Sequence, residues 1–384
     1  MCVLFVTRSG WMEAVPMSSV TVFVNIPFCI RRRRGESSHI RPAGKETRNA
    51  YLEALEREID HAGELLAGKT VQSIYVGGGA ATVLSPDKLA RLLLRFKRAY
   101  QMAEYLELTI AAAPETLVSP CLSGLNMCNF NRISVEALCA SDKMLDYLGT
   151  SYRLADLEDG LTMLGMFKYR NVNADVMYGI PGQTKAALRN SLVTCLALPA
   201  LSHITLKRFE LPEQEGVSAE ECRDQYRYSL EYLKGKGFCQ YAAGHFAKKG
   251  YECRHFYYTC QGMDHIGFGV GAKSYVDGYG ITNTTDLAKY LKWAGQYEEI
   301  TENVLYLDEK ARQKRFAALR LQLAEGFSEE EFAARFGEGA GAAMGPSLQL
   351  LLKQSFISCL DGRYVPTEEG LFHIDEIQKV IFAN

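Results

Sequence analysis

The chain has 384 residues, enough for one large domain and a smaller one, each with its own core. Hydrophobic residues make up 47% and charged residues 23%, an ordinary balance for a globular protein. A formal net charge of -2 excludes whole-molecule steering toward nucleic acid or membrane, so any cationic function must be local.

The opening MCVLFVTRSGWMEAV has no cationic stretch ahead of its short apolar run, so no signal peptide is expected. No run of about 18 apolar residues predicts a transmembrane helix. From Thr21 onward, short apolar runs alternate with longer amphipathic segments. VTVFVNI (20–26) reads as a buried strand, and helix-period residues follow over 46–66, with Tyr51, Leu52, Leu55 and Ile59 on one face. SIYVGGG (73–79) is a second strand ending in glycines. SPDKLARLLLRFKRAY then opens a helix, with Ser85 as N-cap and Pro86 at the first helical position. Residues 106–112, 131–137, 171–179 and 203–209 read as further strands, with helices at 153–166 and 184–197. Such alternation predicts an α/β fold, a parallel sheet closing into a complete or partial (β/α) barrel with its chemistry at the strand C-termini.

After about residue 300 the texture changes. Helices are expected at 308–325, 328–336 and 346–354, with Ser328 and Glu331 forming a capping box. Asp361-Gly362 predicts a two-residue hairpin. The expected organisation is an N-terminal extension (1–19), a barrel with an extension (20–300) and a small helical, winged-helix-like domain (301–384). That last segment has no basic recognition stripe, so nucleic acid is not an expected partner.

Eleven cysteines occur without a C-x-x-C pair or zinc-finger spacing, which fits reduced thiols in a cytoplasmic protein. The strand ends carry the chemistry-bearing residues: Cys29, Gly77, Gly78 and Gly79, Glu136 and Asp175. Glycines there let backbone approach a ligand, or simply make a tight turn. Asp175 in an apolar strand must be paired or face the barrel mouth. Arg31, Arg32, Arg33 and Arg34 read either as an anion site for carboxylate or phosphate groups or as a solvated loop.

NIPFC, IYVGGG, NRIS, NADVMYGIPGQT, GYECRH and IGFGVGAKS, in that order, resemble the oxygen-independent coproporphyrinogen III oxidase family. They are most similar to its heme chaperone branch within the radical S-adenosylmethionine (SAM) superfamily. The resemblance implies a partial (β/α) barrel of the radical SAM type and a link to heme or porphyrin. It also implies a C-x-x-x-C-x-Y-C loop whose three thiolates hold a [4Fe–4S] cluster. On this chain the first cysteine is Cys29, while the second and third positions hold Arg33 and Glu36, and the tyrosine position holds Gly35. Arginine has no lone pair to give iron, and a carboxylate is a hard ligand in a thiolate site. Other SAM-facing positions have also changed: Ala111 and Ala113 stand in AAAP, and Glu136, Leu138 and Cys139 in NRISVEALC. Gly77, Gly78, Gly79 and Asp175 would then be the remains of a SAM pocket, and Cys29 a remnant cluster ligand. Neither the cluster nor SAM is expected to bind. The branch's H-N-x-x-Y-W is reduced to His255 in HFYYTC, and Lys273 replaces a histidine in GAKS. His255 reads as an axial heme ligand or as a core histidine.

The expected function is a SAM-silent heme or tetrapyrrole carrier or scaffold. One alternative is an active coproporphyrinogen oxidase-like enzyme using unusual metal ligands, with Cys29, Glu36, His39 and Asp175 the residues to try. The other is a nucleic-acid-associated protein acting through the terminal domain.

Overall fold

The computed structural model describes residues 2–3, 15–16, 18–210 and 217–383. Strands β1 (Ser19–Ile26), β2 (Thr70–Gly78), β3 (Gln101–Ala112), β4 (Arg132–Leu138), β5 (Val172–Tyr178) and β6 (Leu201–Arg208) lie side by side in chain order, each parallel to the next. Helices α1 (Lys45–His61), α2 (Pro86–Ala99), α3 (Ser119–Met127), α4 (Asp142–Leu148), α5 (Leu154–Met166) and α6 (Lys185–Leu196) fill the crossovers. This is the partial (β/α) barrel that the alternation predicts.

Period-2 alternation decides what each strand shows to which side. Val20, Val22, Val24 and Ile26 of β1, Ile74 and Val76 of β2, and Leu108 and Ile110 of β3 join one buried core with Leu55, Leu92 and Phe96 of the helices. Burying each such side chain is worth about 1.5–3 kcal/mol. The intervening residues are largely polar: Thr21, Asn25, Ser73, Glu107, Thr109, Arg132, Ser134, Asn173, Asp175, His203 and Thr205 are all buried. Their bonds run from strand to strand. Asn173 donates to Ser134 Oγ and Asp175 Oδ1, both at 2.8 Å, and its Oδ1 lies 2.6 Å from His203 Nδ1.

After β6 come α7 (Ala219–Lys234), β7 (Cys239–Ala242), β8 (His245–Ala247), α8 (Arg254–Cys260) and β9 (Asp264–Phe268). Then follow β10 (Lys273–Val276), β11 (Tyr279–Asn283), α9 (Leu287–Trp293), α10 (Tyr297–Ile300) and β12 (Thr301–Tyr306). Strand β9 is parallel to β1 on its free side, and the full sheet runs β7-β8-β6-β5-β4-β3-β2-β1-β9-β10-β11-β12. Buried Glu58 ties α1 to the β9–β10 turn. It accepts from Gly269 N–H (2.8 Å), Asn283 Nδ2 (2.6 Å) and the Tyr290 hydroxyl (2.5 Å), and burial pushes its carboxyl from 4.5 to about 7.

The chain ends in α11 (Glu309–Arg320), β13 (Phe327–Ser328), α12 (Glu329–Phe336), α13 (Ala340–Lys353), β14 (Ile357–Leu360), β15 (Arg363–Pro366), α14 (Glu368–Phe372) and α15 (Ile374–Ala383). Phe316, Phe327, Phe332, Leu348, Leu351, Ile377 and Ile381 make a second core. Asp361 and Gly362 both take positive φ (50° and 73°), as a two-residue hairpin turn of this kind demands. Several helix bounds differ from expectation. Helix α1 stops at His61 and continues as a 3-10 turn over Ala62–Glu64, and α11 stops at Arg320. Helix α13 starts six residues before the expected 346 and carries Pro346 across a kink at Met344. Ser85 does sit at the N-cap of α2, yet its hydroxyl makes no capping bond.

Candidate functional site at the barrel mouth

The strand C-termini open on the loop after β1. Phe28 and Cys29 pair with Arg41 and Pro42, which pins both ends of the loop. Arg34 N–H donates to Leu148 O (2.9 Å), drawing the loop across the mouth, and the Arg34 guanidinium lies 4.9 Å from the Tyr147 ring centroid. Within the loop, Arg33 is turned inward. Its Nη2 donates to Glu36 Oε1 at 3.1 Å and Glu136 Oε1 at 2.7 Å, and its backbone N–H to Glu36 Oε2 at 3.1 Å. The side chains of Arg33, Glu36 and Glu136 are only 14%, 5% and 17% exposed. The four arginines are therefore neither one anion site nor one solvated run: Arg31, Arg32 and Arg34 are exposed, whereas Arg33 is spent on the chain's own carboxylates.

Charges here follow from the burial. Desolvation works against the Arg33 charge, but Glu136 and Glu36 outweigh it and hold the guanidinium protonated. Burial raises Glu136, with Arg33 pulling the other way. Half-buried Cys29 faces Glu36, and burial first, then that carboxylate, pushes its thiol up to about 11. Arg33 pulls the other way without outweighing them, so the sulfur is a neutral thiol at pH 7. Asp175 is buried and paired with Lys207 Nζ at 2.6 Å. Burial opposes its ionisation, yet Lys207 outweighs that and lowers it. Arg33 and Lys207 both pull Glu136 toward its charged form, while Asp175 and Glu36 oppose it.

The glycines are explained by the chain's own packing. Gly78 has φ +101°, and a Cβ there would fall 1.8 Å from Asn25 Oδ1; one on Gly79 would fall 2.2 Å from Phe28 O. Ala111 and Ala113 are buried behind them.

His255 lies elsewhere. Helix α8 plugs the opposite end of the barrel, where Glu107 of β3 caps it by accepting from Arg254 N–H (2.9 Å) and His255 N–H (3.0 Å). The His255 ring is buried among Phe23, Tyr75 and His265, its Nδ1 is 3.0 Å from Ser73 Oγ, and burial lowers it well below the usual imidazole range. Ser73 and Gly78 are five residues apart on β2, roughly 16 Å along the strand. The structure therefore separates His255 from the mouth residues. Of the other ligands to try, His39 stands by Ser37, with Oγ to Nδ1 2.8 Å. No group of three metal-binding side chains occurs among the described residues. Glu107, Tyr152 (whose hydroxyl donates to Glu136 O at 2.6 Å) and Lys207 were not singled out from the sequence. For Glu107 and Lys207 the only signal there is the polar member of an apolar alternation; Tyr152 lies in the loop between α4 and α5 and has none.

A family model for the HemN C-terminal domain matches residues 307–373. The heme chaperone HemW of Bacillus subtilis is 24% identical over 371 residues, covering 91% of this chain and 96% of its own length. HemW of Escherichia coli is 23% identical, covering 96% of this chain and all of its own. HemW of Synechocystis is 28% identical over 289 residues, 71% of this chain and 69% of its own. The structure of Escherichia coli coproporphyrinogen III oxidase (HemN), a radical SAM enzyme, superposes with a TM-score of 0.82 at 18% identity, over 95% of this chain and 90% of that one. Over nearly its whole length the chain is similar to HemW proteins, and it shares the fold of the HemN structure. Arg33 and Glu36 stand where the resemblance in sequence implies the second and third cluster cysteines. Glu136, which pairs with Arg33, stands where it puts a glycine.

Proposed function

We propose that the protein is a heme or tetrapyrrole carrier of the HemW type in which radical SAM chemistry has been lost. The observation that carries this reading is the Arg33–Glu36–Glu136 ion-paired group, whose Arg33 and Glu36 stand where the resemblance implies cluster cysteines. One neutral thiol, a guanidinium and a carboxylate already holding that guanidinium do not fit a three-thiolate cluster. The three changes also complement one another, as expected of a site rebuilt for charge pairing. Relatives named heme chaperone supply the ligand class. Exposed Arg31, Arg32 and Arg34 at the mouth supply guanidinium groups suited to propionates. His255 is left out of the ligand set because its ring is built into the barrel base. The ten cysteines from Cys29 onward are free, which suits a reducing cytoplasm. No helix among the described residues is long and apolar enough to cross a membrane.

Titration of the metal-free protein with hemin tests the reading. Saturable binding with a shifted Soret band is expected, unmoved by His255→Ala. Replacing Arg31, Arg32 and Arg34 by Gln should weaken binding about tenfold and flatten its salt dependence. An unchanged hemin spectrum across micromolar concentrations would sink the carrier reading. In parallel, anaerobic reconstitution with iron and sulfide should leave no [4Fe–4S] cluster on the chain; about four irons and four sulfides per chain would sink the other half.

A further inference from the structure

At the opposite end of the barrel from Cys29, a cavity of about 450 Å³ lies between the β9–β11 hairpins and the terminal helices. Three guanidinium groups converge on it. Arg315 of α11 lies over Tyr275 of β10, 3.5 Å from the ring centroid. Arg335 of α12 lies 5.5 Å from the Phe316 ring and donates to Gly262 O at 3.4 Å. Arg312 Nε is buried with no hydrogen-bond partner among the described residues.

The wall contains acids, but they answer these cations only in part: Asp264 acts on Arg315 and Arg335 from beyond ion-pair distance. Lys69 already holds Asp264 at 2.7 Å and Asp277 at 2.9 Å, and Glu309 stands exposed at the rim. Among the described residues no carboxylate lies within ion-pair distance of Arg312, Arg315 or Arg335. Burial, with Arg335 nearby, pushes Arg315 down to about 10, and burial also lowers Arg335, as crowded and partly desolvated like charges require. Such an arrangement is costly unless something neutralises it. A planar fork pairs phosphate or carboxylate oxygens two at a time, and the volume suits a small molecule.

We propose that this cavity is a binding site for a small organic anion carrying phosphate or carboxylate groups, separate from the barrel mouth. Arg312 and Arg335 would contact the anion, and Arg315, stacked on Tyr275, would supply the field behind them.

Calorimetric titration of the full chain with pyrophosphate and, separately, with citrate tests this at near-physiological salt. One-to-one binding with a Kd below about 1 mM is expected, weakening as salt rises. Tighter pyrophosphate identifies the phosphate class and tighter citrate the carboxylate class. Arg312→Gln with Arg335→Gln should reduce the affinity at least tenfold while near-ultraviolet circular dichroism stays as in the wild type. If the double variant misfolds, Arg335→Gln alone, on the exposed side of α12, should still lose several-fold. Absence of binding by both anions, or equal binding by the folded variants, overturns the proposal.

Discussion

Arg33 holds two carboxylates, one three residues away and one 103 residues away. Removing it leaves Glu36 and Glu136 facing each other with little water. Arg33→Met should therefore cost about 3 kcal/mol, read from urea denaturation. Replacing all three by apolar residues of similar size should recover most of that loss, because the penalty belongs to the stranded charges and not to the missing pair. Glu58 makes a different prediction. Its folded value of about 7 lies above the ordinary 4.5, so the folded state holds a proton that the unfolded chain has released between those values. Stability from this group is complete below about pH 4.5 and is lost as pH rises through about 7, a change on the order of 3 kcal/mol. Urea midpoints at about pH 5 and about pH 8 should differ by this contribution, and Glu58→Gln should remove it.

Two serines that look alike as helix starts separate at the level of elements. Ser328 accepts from Glu331 N–H at 3.1 Å while Glu331 accepts from Ser328 N–H at 2.7 Å, so both halves of the capping box are made. Ser328→Ala should cost about 1 kcal/mol in thermal or urea unfolding, and Ser85→Ala, which breaks no capping bond, should be close to neutral. The alternation V-T-V-F-V-N-I made β1 legible, and the same rule found β2 to β6, because every second residue there faces a helix layer. Asp361-Gly362 was legible because few residue pairs accept positive φ twice in succession. Strands β7 to β12 were not read. Most are four to six residues long, and a bulge between Gln240 and Ala242 breaks one alternation, but Asp277-Gly278 joins β10 to β11 with the same pair of positive φ angles (50° and 88°) and was missed. In the site, the loss of ligands at Arg33 and Glu36 was visible as residue type. Its replacement by an ion pair was not, since only the fold brings Glu136 to Arg33. His255 shows the converse: its motif was legible, but the Glu107 cap that draws it into the barrel base was hidden in LELTIAA.

Across the whole molecule, the terminal segment is tied to the barrel at more than one place. Ala243 N–H donates to Gln322 O (2.8 Å), Ala324 N–H donates to Tyr241 O (2.9 Å), and Glu369 pairs with Arg223 (2.8 Å) and Arg227 (3.1 Å) on α7. Its core is nevertheless distinct from that of the barrel, so the cavity with its three arginines is walled by two separately packed bodies. At the other end, the mouth loop is held by strand pairing, the Arg34–Leu148 backbone bond and the Arg33 ion pairs, all between the chain's own groups. Stability should therefore be independent of metal supply: a strong chelator should leave the thermal midpoint within about 1 °C of the untreated protein. A drop of several degrees would mean that a bound ion shares in holding the loop.

The same ion-paired mouth bears on how the protein comes into being. Under the proposed reading, a chain whose loop is ordered by arginine and glutamate needs no assembly machinery to hand it iron and sulfide. Under that same reading it would mature in the time its own folding takes, under iron starvation as readily as in plenty.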